Sequence, residues 1–250
     1  MHPGYFSEEG IFMTGLGTML NAAAIVAGGA LGLLLKNALP QRIGDGLMKA
    51  MGVCVLFIGL AGALSNLLTV QDGALGTSGT MMMILSFLGG AVTGGALDLE
   101  GKMERFGLWV RKKSGSDGDS SFLEGFLNAS FTVCIGAMAV VGAIQDGLLG
   151  DISLLVTKSV LDGVIIMVMA ASMGRGCLFS ALPVAVFQGL ITLFARFLQP
   201  VMTDAATANL SLTGSVLVFC VGVNLVWGKR IPVANLLPTL LFAVALAFVL

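Results

Sequence analysis

Eight times between residue 15 and residue 250 the chain runs through a long apolar stretch before a polar interruption. About twenty apolar residues is the length at which an α-helix crosses the hydrocarbon core of a bilayer. Lipid offers no hydrogen bonds, so each such stretch must satisfy its own backbone groups, which a helix does. The runs lie near 15–35, 47–70, 79–98, 123–145, 152–173, 179–199, 212–228 and 233–250. The last is short and carries Pro238, so the expected number of crossings is six to eight. The fold class read from this pattern is an all-α polytopic membrane protein with about eight transmembrane helices. Composition agrees: 56% of the residues are hydrophobic and 11% charged, where a soluble domain devotes about a quarter to charge.

Lys and Arg accumulate in cytoplasmic loops, and here they are sharply sorted. Lys36, Arg42 and Lys49 follow the first run, Lys102, Arg105, Arg111, Lys112 and Lys113 the third, Arg175 the fifth, and Lys229 and Arg230 the seventh. Only Lys158 and Arg196 lie elsewhere. The opposite connections, "SNLLTVQDGALGTSG", "QDGLLGD" and "QPVMTDAATAN", carry acids and no base. The threading expected is therefore multi-pass in a plasma membrane, with basic loops cytoplasmic and both termini outside. Residues 1–12 form a polar leader without a basic stretch or a small-residue cleavage pattern, unlike a signal peptide, and Met13 is the expected start. One integral membrane domain follows, with N-terminal helices over 13–113, a linker at 114–121 and C-terminal helices over 122–250.

"LEGKMERFGLWVRKK" places Leu99, Met103, Phe106 and Val110 at helical spacing among bases, which describes an amphipathic helix lying in the interface. "SGSDGDSS" reads as a flexible hinge, and Ser121 with Glu124 as a capping box opening the fourth run.

Several function classes fall away. Net charge is −1, too little for counterion displacement on nucleic acid. Cys54, Cys134, Cys177 and Cys220 stand singly in or beside apolar runs, and His2 is the one histidine, so neither a metal site nor histidine chemistry is expected. No cofactor and no enzymatic activity are expected either: nothing assembles a nucleophile, a base and an oxyanion site.

Glycine numbers 35. Gly28 with Gly32 and Gly90 with Gly94 each give the small-xxx-small spacing that lets helix backbones approach. Both close packing within the chain and a homodimer seam through these four residues fit that spacing. "LNAAAIVAGGA" (20–30) resembles "LNASFTVCIGA" (127–137), and "CIGAMAVVG" (134–142) resembles "CVGVNLVWG" (220–228). Each match joins runs three apart, so the repeats would be inverted, as in many secondary transporters.

The residues lipid tolerates least lie in "TKSVLDG", 157–163. Asp162 falls about ten residues into the fifth run, ~15 Å deep at 1.5 Å per residue, near the midplane of a core about 30 Å thick. A carboxylate there needs a partner, a proton or a wet cavity. Lys158, at i−4, shares its face and reaches it; the alternative is that Lys158 snorkels to the surface. Asp162, Lys158 and Ser159 are the candidate coupling residues. Gln188, Thr192, Asn224, Asn235, Asn128 and Asn21 are the candidate solute-binding residues, with Gln188, Thr192 and Arg196 forming one stripe on the sixth run. Gln145, Asp146, Asp151 and Pro238 are candidate loop or gate positions, Pro238 because it frees backbone carbonyls. Structural glue between helices is the competing reading for any single polar residue.

"GAIQDGLLGDISLLVTKSVLDG" (142–163), "SALPVAVFQGLITLFA" (180–195), "KRIPVANLLP" (229–238) and "MTGLGTMLNAAAIVAGGALGLLLK" (13–36) together resemble the bacterial YqgA/YdfK family of inner-membrane proteins. The likeness runs from about residue 13 to the end and leaves out residues 1–12. It implies a polytopic protein of the bacterial plasma membrane and implies no particular substrate. From the residues, the leading expectation is a secondary transporter of a small solute, coupled through the midplane carboxylate. An oligomeric channel, or a sensory or scaffolding membrane protein without transport, are the alternatives.

Overall fold

Each apolar run becomes helix in the computed structural model, which describes residues 15–38, 41–71, 74–116, 118–135 and 137–249. The polar leader and Met13 lie outside the described residues. In chain order the elements are α1 (Leu16–Ala38), α2 (Gln41–Leu67), a hairpin of β1 (Leu68–Gln71) and β2 (Ala74–Thr77), α3 (Thr80–Ala96) and α4 (Leu99–Lys113). Next come α5 (Phe122–Cys134), α6 (Ala137–Leu149), α7 (Ser153–Met173), and a 3-10 segment (Arg175–Ser180) leading into α8 (Ala181–Leu193). The chain ends with α9 (Ala195–Leu198), a 3-10 turn (Gln199–Val201), α10 (Asp204–Trp227), α11 (Val233–Leu236) and α12 (Thr239–Leu246).

Among the described residues five helices are long and apolar enough to cross a membrane, and seven when each of two bent pairs counts as one span. The apolar segment Val233–Leu246 is shorter than these spans. The protein is thus an all-α polytopic membrane protein, as its apolar runs require. Its small sheet pairs Leu68 with Thr77 through Gln71 with Ala74, antiparallel, in a connection expected to be plain loop.

Two bends shape the bundle. Between α3 and α4 the axis turns by 57°, which lays the basic amphipathic helix across the end of the span. Gly107 and Val110 are buried on its inner side. Between α5 and α6 the turn is 61°, and Ile135 sits there in extended conformation (φ −83°, ψ 122°). The fourth run is therefore two half-helices, not the continuous span expected.

The capping box is also corrected. Ser121 makes no side-chain cap bond to α5; its hydroxyl, with one proton to donate, lies between Asp119 Oδ1 at 2.8 Å and the Met173 carbonyl at 3.0 Å. Asp119 accepts the Ser121 backbone N–H as well, at 3.0 Å.

Glycines set the closest approaches. A methyl group on Gly28 would overlap the Gly163 carbonyl, and one on Gly32 the Met167 carbonyl, so α1 and α7 run side by side with backbones in contact. Likewise Gly90 meets Thr239, and Gly94 the Asn235 carbonyl. All four glycines pack against other helices of the same chain. The core gathers round Phe122, Phe126, Ile166, Met169, Val184 and Leu217, all essentially inaccessible. Met19, Leu34, Phe57, Val92, Leu193 and Phe197 point outward and exposed, an apolar exterior that suits acyl chains.

Candidate functional site

On α7 a spacing of four residues puts Lys158 and Asp162 on one face, one turn apart. That face turns inward: both residues are buried, 7% and 4% exposed. The Lys158 ammonium donates to Asp162 Oδ2 at 2.5 Å and to the Val133 carbonyl at 2.8 Å. It does not snorkel. Val133 belongs to the last turn of α5, where a helix leaves its carbonyls without intrahelical partners. The break before α6 thus exposes an acceptor at the negative end of a half-helix, and a cation is what such an end attracts.

Two more helices complete the cluster. Asn21 on α1 donates from Nδ2 to Asp162 Oδ2 at 3.0 Å and to Gln188 Oε1 on α8 at 3.3 Å. Both amides are buried. α1 can come this close because its glycines admit α7 backbone to backbone.

What the cluster leaves unmet is as informative. Asn21 Oδ1, Gln188 Nε2, Thr192 Oγ1 and Thr18 Oγ1 are all buried without a hydrogen-bond partner among the described residues. Thr192 stands one turn beyond Gln188 on α8, and Thr18 three residues before Asn21 on α1, both toward the end of the bundle opposite the basic loops. An unmet buried polar group costs about 1–3 kcal/mol, and here four lie on two adjacent helices. They include one amide acceptor, one amide donor and two hydroxyls able to do either. The ion pair neutralises itself, and these atoms add hydrogen-bonding capacity without net charge.

Other expected residues lie elsewhere. Ser159 is buried, but its hydroxyl donates back to the Leu155 carbonyl at 2.6 Å. Asp146 on α6 is fully buried and accepts the Gly15 and Gly17 backbone N–H groups at 3.0 and 3.1 Å. It ties down the positive end of α1. Asp151 is exposed and accepts the Ser153 backbone N–H at 2.9 Å at the start of α7, and the hydrogen bonds from Ser153 hold its carboxyl below the ordinary value. Gln145 is half-buried on α6 outside the cluster. Arg196 is exposed on α9, because α8 stops at Leu193 and the expected stripe stops with it.

Asn224 and Asn235 do not join the centre either. Asn224 Oδ1 accepts the Arg230 and Ile231 N–H groups, each at 2.9 Å, and its Nδ2 donates to the Ile231 carbonyl at 2.8 Å. Asn235 Oδ1 accepts the Glu100 N–H at 2.8 Å, while Glu100 Oε2 accepts the Ala234 N–H at 3.0 Å. The first turns of α4 and α11 therefore cap each other. Pro238 caps α12, and the Ala234 carbonyl that it cannot serve is taken by Leu237 N–H at 3.2 Å. These residues build the turn at the basic end. Asn128 lines a separate cavity there.

Sequence reading missed Thr18 and the Val133 carbonyl. The first was detectable, since Thr18 and Asn21 share a helix face. The second is a backbone atom released by a break.

The family described as "Protein of unknown function (DUF554)" matches residues 16–248. The chain is 29% identical, over 94% of its length and 96% of the relative's, to "Uncharacterized membrane protein YdfK" of Bacillus subtilis (strain 168). It is 30% identical, over 93% of its length and 96% of the relative's, to "Uncharacterized protein YqgA" of Escherichia coli (strain K12). No solved structure matches.

Proposed function

The chain belongs to the DUF554 family, and from that premise we propose that it is a secondary transporter of a small polar solute, coupled to ion movement through Asp162. The observation that carries this reading is the buried Lys158–Asp162 pair at a helix break, beside four unmet polar atoms on α1 and α8. Buried charge and unmet hydrogen bonding both cost stability, and a fold without use for them would gain by replacing them with apolar side chains. A guest offering a donor and acceptors to Asn21, Gln188, Thr18 and Thr192 recovers that cost only while it is bound.

Coupling follows from shared partners. Asp162 is joined to Lys158 and to Asn21, and Asn21 in turn to Gln188. A proton or cation arriving at the carboxylate weakens its hold on both, which changes what the two amides present to the solute. The half-helices α5 and α6 supply a hinge at Ile135, and broken helices at mid-membrane are a recurrent device for ion and substrate sites in transporters. In this reading the basic loops face the cytoplasm of a bacterium, both termini lie outside, and the matches between runs three apart mark inverted repeats. No catalytic step is proposed.

The test is flux in proteoliposomes. Protein reconstituted with a pH-sensitive or sodium-sensitive dye inside should move protons or sodium when solute mixtures are supplied, and Asp162→Asn should reduce movement to that of empty vesicles. Flux at the wild-type level in Asp162→Asn, with equal protein incorporated, removes the carboxylate from the mechanism.

A further inference from the structure

At the basic end, between α4, α5, α10 and the turn before α11, lies a cavity of about 190 Å³ that the central site does not use. Glu100, Glu104, Glu124 and Asn128 line its polar side, and Leu127 and Phe131 part of its apolar wall. Lys229 joins the lining and is already committed: its ammonium binds Glu100 at 3.0 Å and also Glu104. Glu124 has no ion-pair partner among the described residues and stands exposed at the mouth. One helical turn deeper, Asn128 is 9% exposed, and its side-chain amide makes no hydrogen bond among the described residues. An amide without a protein partner, on a residue that is nine-tenths buried and opening onto a cavity with surplus negative charge, points to a guest that brings N–H donors and positive charge.

We propose that this cavity binds a small organic cation of the guanidinium or primary-ammonium class. Three features select that class. Glu100 and Glu104 converge on the Lys229 ammonium, which leaves Glu124 as the lining acid without an ion-pair partner among the described residues. Lys229 already shows the mode, an ammonium shared between two carboxylates. Leu127 and Phe131, on the same face of α5 as Glu124 and Asn128, cover a short hydrocarbon portion and bring an aromatic ring into the lining. Glu124 supplies the charge-assisted bond and the Asn128 carbonyl the second acceptor.

This reading goes beyond transport and concerns equilibrium binding, so it is tested by calorimetry on the purified full-length protein in detergent. n-Butylguanidinium should bind saturably, and n-butylurea, of the same shape without the charge, at least about tenfold more weakly. Glu124→Gln should weaken n-butylguanidinium about tenfold; because Glu124 is exposed, its melting temperature should match the wild type. Asn128→Ala should weaken it as well. Asp162→Asn should leave this binding unchanged whatever it does to flux, so the cavity and the transport site stand or fall separately. Equal binding of the urea and the guanidinium, or wild-type binding in Glu124→Gln, overturns the proposal.

Discussion

Asn21 and Asn224 are the same side chain in the same kind of setting, each buried in a helix that crosses the membrane, yet they do opposite things. Asn224 spends its oxygen on two backbone N–H groups and its nitrogen on a carbonyl, all within the turn that follows its helix. Asn21 spends its nitrogen on Asp162 and Gln188 and leaves its oxygen unmet. The first is a tie whose energy is realised in the empty protein. The second keeps hydrogen-bonding capacity in reserve. A polar residue inside a membrane bundle is therefore read by what it leaves unsatisfied, not by its burial.

The largest effect should come from breaking the central pair on one side only. Lys158→Met leaves Asp162 buried beside an apolar chain and should cost about 3–5 kcal/mol, seen as a lower midpoint in denaturant or thermal unfolding in detergent. Lys158→Met combined with Asp162→Leu should recover most of that loss while flux stays at background. If the double variant is as unstable as the single one, the pair holds the fold together and the contrast with the basic end collapses.

A smaller effect separates tie from reserve directly. Asn224→Ala removes three hydrogen bonds and should destabilise by about 1–3 kcal/mol, with flux per folded molecule unchanged. Gln188→Leu replaces an amide whose nitrogen is unmet; its stability should stay within about 1 kcal/mol of wild type while flux is lost. The reverse outcome, in which Gln188→Leu unfolds the protein and Asn224→Ala halts flux, would exchange the two roles.

The smallest effect belongs to the exposed ion pairs. Lys229→Ala should cost under about 1 kcal/mol, less still in high salt. Partial burial works against the Lys229 charge, but the hydrogen bonds to Glu104 and Glu100 outweigh it and raise its pKa above the ordinary 10.5. A raised folded value means the tie is at full strength below about pH 10.5 and is lost as pH rises through the folded value. Stability of wild type and Lys229→Ala should therefore converge at the alkaline end of a pH series.

Much of the architecture was legible because the signals are local. The apolar runs gave the helices, the sorted bases gave two unlike ends, and the amphipathic spacing of Leu99, Met103 and Val110 gave α4. The hairpin was missed although its connection carries an Asp-Gly pair at 72–73, a sequence hairpin signal. The break between α5 and α6 was missed because Ile135 interrupts no run of hydrophobicity, only the geometry of the helix. At the site, Lys158 and Asp162 were legible as a pair since both lie on one helix. Asn21, Gln188 and Thr192 were legible as individuals, but Asn224 and Asn235 carried the same signal and turned out to be caps.

The sequence by itself determined a membrane-spanning helical bundle, its two unlike ends and an acid–base pair one turn apart in the middle of one helix. Those follow from transfer free energy and the 3.6-residue period, which act within a single segment. The tertiary structure alone decided that α1 and α8 bring their amides to that pair, that the Val133 carbonyl reaches Lys158, and which polar atoms are left without partners. The reason is that hydrogen-bond satisfaction depends on which backbones glycine allows to touch, a property of helices far apart in the chain.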